Sequence, residues 1–193
     1  MDIILASTSP RRKELLTLIG LDFSSTSGNV DEILDYSLPL EKMIEKLAYE
    51  KAEAVAKNIM GDFLVIGADT IVEVDGKVLG KPIDQNDAKE MLTLLSGRRH
   101  NVITGVSIIS TSDKYKSISF FEKTEVKFKP LTKKEINNYI DTGECMDKAG
   151  SYAIQGIGTM LVEGIYGCYT NVVGLPIPLL MKKLSKHYGI KKI

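Results

Sequence analysis

The sequence predicts an α/β fold, and three observations carry that prediction. A short apolar strand, Ile3-Ile4-Leu5-Ala6, runs through a Ser/Thr cluster into a helix opened by Pro10, whose missing N–H and fixed φ suit the first helical turn. A wholly apolar segment, Phe63-Leu64-Val65-Ile66-Gly67, has the length of a buried strand and stands between two stretches of helical periodicity. Strand-like and helix-like segments go on mixing to the end of the chain, with no internal repeat, low-complexity tract or linker.

The elements follow in order. The first helix reads over 10–19 and closes at Gly20, and residues 23–27 suit a second strand. Leu40, Met43, Ile44, Leu47, Val55 and Ile59 recur at helical spacing, which predicts a long amphipathic helix over 40–59 ended by Gly61. After the apolar strand, residues 71–74 meet Asp75-Gly76, a hairpin-turn dipeptide, so Asp69-Thr70 is expected to lie between two strand segments. Asp84 caps a helix that Gly97 stops, and 102–110 and 115–128 read as strands. Thr132 with Glu135 forms a capping box for a helix ending near Gly143. Seven of the chain's 16 glycines then fall between Gly143 and Gly174, which predicts tight turns or backbone close to a ligand; Pro176 starts a final helix reaching about Tyr188.

Composition narrows the function. The 193 residues suffice for one large domain or two closely packed lobes, and at 44% hydrophobic and 26% charged the chain has the makings of a core. Its 25 basic residues balance 25 acidic ones, which argues against a nucleic-acid polymer as partner and for a small anionic ligand met by local charge. Two cysteines, Cys145 and Cys168, and two histidines are too few for a zinc cage. No signal-peptide pattern and no apolar run of about 18 residues is visible, so a soluble protein of the reducing cytosol is expected.

Local charge is where the sequence speaks most directly. Arg11 and Arg12 stand in the first turn of a helix, where the dipole and free N–H groups favour acids. An anion, most naturally phosphate, removes the conflict if backbone N–H groups, the hydroxyls of Ser7 and Ser9 and a guanidinium fork hold it. A solvated arginine pair accounts equally well for the position alone. Lys51 projects into the middle of the apolar stripe between Leu47 and Val55, so its ammonium is expected to reach a carboxylate or a ligand phosphate, unless its stem packs and its head snorkels to water. Asp69 follows an apolar strand where strand ends place functional side chains; the alternative is a turn aspartate bonding nearby N–H groups. Glu32 is the second acidic candidate, and Lys81 in Gly80-Lys81-Pro82 a further cation. A divalent ion such as Mg²⁺ bridges carboxylates and phosphates naturally, and such a site can cleave a phosphoanhydride. A P-loop and a nucleophile elbow are both absent from the sequence.

Ala6-Ser7-Thr8-Ser9-Pro10-Arg11-Arg12, Gly67-Ala68-Asp69-Thr70-Ile71-Val72, Gly80-Lys81-Pro82, Leu95-Ser96-Gly97, the run from Asp147 to Gly156, and Val172-Val173-Gly174-Leu175-Pro176 together resemble the Maf family of nucleoside triphosphate pyrophosphatases. The resemblance spans nearly the whole chain. It implies a cytoplasmic enzyme that cleaves a nucleoside triphosphate between the α- and β-phosphates with a divalent cation, Mg²⁺ or Mn²⁺. It implies an inosine triphosphatase-like (Maf/Ham-like) fold over 1–193, a mixed sheet in two lobes around a central cleft, and a homodimer. By position, Asp69 would be the proton acceptor and a metal ligand beside Glu32, with Ser7, Arg12, Lys51 and Lys81 around the phosphates. Arg11, Thr70 and Gln155 match positions tied to substrate choice in the dTTP/UTP branch. A glutamine amide can accept from uracil or thymine N3–H while donating to a ring carbonyl, although it can also flip to suit cytosine or adenine. The other readings are a 7-methyl-GTP-type sibling and a nucleotide-binding regulator with little turnover, given the family's association with septum formation. One departure is Glu144-Cys145-Met146, where relatives often carry Pro before Asp-Lys; it touches no residue named above.

Overall fold

Unbroken burial along Ile3–Ala6 and along Leu64–Ala68 comes from two apolar runs laid side by side. In the computed structural model, which describes residues 1–28, 30 and 33–191, strand β1 (Asp2–Ala6) pairs in parallel with both β2 (Ser24–Thr26) and β3 (Phe63–Val74), with Ala6 opposite Gly67. The remaining strands are β4 (Lys77–Leu79), β5 (Arg99–Ser110), β6 (Ile118–Phe128) and β7 (Val162–Tyr166). They form a seven-stranded mixed sheet in the order β2-β1-β3-β5-β6-β7, with β4 paired antiparallel to β3 off that path. The helices are α1 (Pro10–Leu18), α2 (Leu40–Ala56), α3 (Gln85–Leu95), α4 (Lys133–Asp141), α5 (Tyr169–Val173) and α6 (Ile177–Tyr188).

The chain divides into two compact units. The first comprises Met1–Asp69, Thr104–Glu122 and Gly174–Ile193, and the second Thr70–Ile103 and Lys123–Val173. In the first unit α2 lies against β3 and β5 with no side chain in between. A Cβ on Gly67 would stand 2.2 Å from the Ala48 carbonyl oxygen and 2.7 Å from the Ala52 nitrogen, and one on Gly105 would stand 2.3 Å from the Ile44 carbonyl oxygen. Two glycines facing small residues thus bring a helix onto the sheet at backbone contact, closer than any larger pair of side chains allows.

The second unit has its own core, in which Leu92 and Leu95 of α3, Ile136 and Tyr139 of α4, and Phe128 of β6 are all buried. Local chemistry fixes its ends as expected. Asp84 accepts from the Asp87 N–H at 2.8 Å, Thr132 and Glu135 complete a capping box, and Asp75 (φ 51°) with Gly76 (φ 78°) turns the β3–β4 hairpin. Inside this core, His100 is 2% exposed, bonds Tyr152 Oη through Nε2 at 2.8 Å and packs edge-on against Phe128.

Several boundaries differ from the sequence reading. Helix α2 stops at Ala56, three residues early, because Lys57, Asn58 and the exposed Met60 offer no apolar face to hold another turn. β3 is one continuous strand, so Asp69 and Thr70 sit within it and the expected break after Gly67 does not occur; backbone pairing to neighbouring strands overrides the polar interruption. The glycine-rich stretch holds structure the sequence did not reveal: β7, α5 and two 3-10 turns at Ala149–Ser151 and Gly156–Leu161.

Two stability measurements follow. Gly67→Ala forces a methyl into the α2 backbone and should lower stability by about 1–3 kcal/mol or more, read as a fall in the urea midpoint. Burial lowers the His100 pKa from 6.5 to about 4, so between those values the unfolded chain binds a proton that the folded chain excludes. His100 therefore favours folding fully above pH 6.5, and that contribution, on the order of 3 kcal/mol, is lost as pH falls toward 4. His100→Leu should flatten this part of the stability–pH curve, measured by urea unfolding between pH 4 and 7.

Candidate active site

The first unit brings four of the expected residues into two bonded pairs. Ser7 follows the last residue of β1, and Arg12 lies in the first turn of α1; that turn contains no acid, and no side chain caps it. Ser7 is 8% exposed and Arg12 9%. The guanidinium donates from Nη1 to Ser7 Oγ at 3.3 Å and from Nε to the Gly174 carbonyl oxygen at 2.8 Å. Arg12 is therefore built into the fold as a buried cation at the positive end of a helix. The solvated-pair alternative fails for Arg12; Arg11 is half-buried beside it.

The second pair joins α2 to β3. Lys51 Nζ donates to Asp69 Oδ1 at 2.5 Å, with the two side chains 16% and 13% exposed. The snorkelling alternative fails as well, because the ammonium reaches a carboxylate. Its geometry follows from the packing below it. Gly67 and Asp69 are two apart on a strand and share a face, while Ala48 and Lys51 are three apart on a helix and share another. Where Gly67 admits the α2 backbone at Ala48 and Ala52, the next turn of α2 meets the next inward position of β3.

The β1–β3 register then joins the pairs. Ala6 stands opposite Gly67 in adjacent parallel strands, so Ser7 lies one residue, and Asp69 two residues, beyond that partnered position. Glu32, the expected second metal ligand, lies outside the described residues, and among the described residues no group of three or more His, Cys, Asp or Glu could by itself enclose a metal.

The second unit carries Thr70, Lys81 and Gln155. Thr70 is half-buried in β3. Lys81 is exposed and has no ion-pair partner among the described residues; the Gly80 carbonyl beside it accepts from the Gly150 N–H at 3.0 Å, which fastens the Gly80-Lys81-Pro82 segment to the turn after Lys148. Gln155 is half-buried in extended backbone just before the Gly156–Leu161 turn. Sequence reasoning missed Gly174 as the carbonyl partner of Arg12, since a backbone acceptor 162 residues away leaves no pattern. It also set aside Glu144, whose carboxylate accepts from the Ile157 and Gly158 N–H groups at 3.1 and 2.8 Å.

A family profile described as Maf-like protein matches residues 2–187. Curated relatives extend over almost the full chain. A dTTP/UTP pyrophosphatase of Thermoanaerobacter sp. is 50% identical over 191 residues, covering 99% of both chains. One of Bacillus cereus is 50% identical over 185 residues, covering 95% of this chain and 94% of that one. A crystal structure of a nucleoside-triphosphatase / dITP/XTP pyrophosphatase from Mycobacterium abscessus is similar at 13% identity and a TM-score of 0.41, over 68% of this chain and 76% of the other, too distant a likeness to carry a conclusion.

Arg12→Lys should separate the anion-site role from simple packing. Lysine keeps the charge but cannot donate to Ser7 and Gly174 at once, and the loss of buried bonds should lower stability by about 1–3 kcal/mol. Thermal unfolding checks that fall, and calorimetric titration with tripolyphosphate should show weaker binding than in the unaltered protein.

Proposed function

We propose that this chain, which belongs to the Maf-like protein family, hydrolyses dTTP and UTP between the α- and β-phosphates, giving the nucleoside monophosphate and pyrophosphate. The observation that carries this reading is the Lys51–Asp69 pair, held by the β1–β3 register next to the buried Arg12 and Ser7. A polyphosphate repels a carboxylate. Lys51 offsets that repulsion at Asp69, and Arg12 adds a fixed cation and fork geometry suited to phosphate oxygens.

In this reading Asp69 accepts the proton of the attacking water. The new bond forms from water oxygen to phosphorus while the bond to the bridging oxygen breaks, and the electron pair leaves with pyrophosphate. Arg12, Lys51 and Lys81 offset the charge that grows on the departing oxygens, and the α1 N-terminus adds its dipole. Arg11 and Thr70 contribute to holding the substrate, and Gln155 presents its amide to the N3–H and a ring carbonyl of uracil or thymine. The donor chemistry at Asp69 fits a hard divalent cation, because Mg²⁺ takes one or two protein carboxylates and fills its remaining positions with phosphate oxygens and water. Asp69 would hold it, with Glu32 as second ligand, and the ion would supply Lewis-acid polarisation of the phosphate and a lower pKa for nearby water. No helix among the described residues is long and apolar enough to cross a membrane, and we place this activity in the cytoplasmic nucleotide pool.

The test is pyrophosphate release with Mg²⁺ or Mn²⁺ against dTTP, UTP, CTP, dATP, GTP and 7-methyl-GTP. Cleavage of dTTP and UTP is expected, with Asp69→Asn lowering kcat by about 10²–10⁴-fold. Preference for 7-methyl-GTP would overturn the base assignment and keep the reaction. Retained turnover in Asp69→Asn would remove Asp69 as base, and binding without turnover in the unaltered protein would make the chain a nucleotide-binding regulator.

A further inference from the structure

We infer that Glu144 and Tyr139 form a clamp that fixes the backbone on both sides of Gln155, making Glu144 a positioning residue for base choice. This rests on the pyrimidine reading above, in which Gln155 meets the base.

The Gln155 side chain makes no hydrogen bond to any described residue, yet the chain around it is tied at four points, two before it and two after it. On the upstream side the Ala153 N–H donates to Tyr139 Oη at 3.1 Å. On the downstream side the Glu144 carboxylate accepts from Ile157 N–H at Oε1, 3.1 Å, and from Gly158 N–H at Oε2, 2.8 Å. Between them the Ile154 carbonyl accepts from Thr159 Oγ1 at 2.9 Å.

A carboxylate receiving two N–H groups at the start of a 3-10 turn would, alone, be an ordinary cap. The Tyr139 bond goes further, because it adds a second anchor two places before Gln155 and so holds the segment from both sides. Clearances around the clamp leave no slack. Gly156 has φ +69°, and a Cβ there would lie 2.1 Å from Glu144 Oε1; a Cβ on Gly158 would lie 2.2 Å from the Ala153 carbonyl oxygen and 2.8 Å from Tyr139 Oη. Tyr139 is 2% exposed on α4, whose start is locked by the Thr132–Glu135 capping box, so the clamp is anchored to a rigid element. Burial raises the Tyr139 pKa, which keeps its hydroxyl neutral as the partner of the Ala153 N–H.

An amide that reads two atoms of a base edge tolerates about half an ångström and 10–20° of error, so what fixes its backbone fixes its selectivity. The experiment measures kcat/KM for UTP and CTP in the unaltered protein, Glu144→Gln, Tyr139→Phe, Gln155→Ala and the Glu144→Gln/Gln155→Ala double variant. Glu144→Gln should lower the UTP-over-CTP preference by about tenfold or more, mainly through a higher KM for UTP, and Tyr139→Phe should act in the same direction more weakly. In the Gln155→Ala background Glu144→Gln should cost no further preference, because both act through one group. An unchanged preference in Glu144→Gln, or a loss that adds in full to that of Gln155→Ala, overturns the clamp while leaving the pyrimidine reading in place. If Glu144→Gln does not fold, Tyr139→Phe carries the same cycle. A Gln155→Ala variant that keeps its preference, or an unaltered protein that does not cleave UTP, overturns the pyrimidine reading and the clamp with it.

Discussion

Backbone contact between α2 and the sheet is the constraint on which the rest of the first unit depends. With Gly67 and Gly105 lacking side chains, the Ala48 and Ile44 carbonyls take the space that a Cβ would fill. The helix is set by main-chain atoms, which have no rotamers through which to drift. One turn further on, the same contact delivers the Lys51 ammonium to Asp69. A wider helix–sheet gap would leave that lysine stem short of the carboxylate and the carboxylate facing water.

The charges in this unit follow from the same economy of position. Arg12 is placed where helix electrostatics disfavour it, and two bonds, one to a hydroxyl and one to a carbonyl, hold it there. Asp69 is matched by a side chain of opposite charge, the Lys51 ammonium.

Much of this was legible because it rests on local chemistry. The Pro10 helix start, the Asp75-Gly76 turn, the Asp84 cap and the Thr132–Glu135 capping box depend on neighbours a few residues apart. Lys51 was legible as a misfit in an apolar stripe, expected to reach a carboxylate or a ligand phosphate unless it snorkelled, and the structure gives it the Asp69 carboxylate. What stayed hidden depends on long-range pairing. Asp69 and Thr70 look like a break between strands, yet pairing with neighbouring strands carries β3 straight through them. β7 hides in a glycine-rich stretch, because its strand character comes from pairing with β6. Glu144 reads only as part of a departure from the family's pattern until the turn that it caps is seen to be the one after Gln155.

The bond from Arg12 to the Gly174 carbonyl spans 162 residues, and the first unit is assembled from three separated stretches of chain, the last beginning at Gly174. During synthesis the amino-terminal strand, helix and arginine leave the ribosome long before the carbonyl that fixes the guanidinium exists. Contacts of such high sequence separation form late and slow the folding of a chain. A nascent chain stalled anywhere before that carbonyl would carry Arg12 without the Gly174 bond that holds its guanidinium, so the finished geometry around Arg12 marks a chain whose translation has passed Gly174.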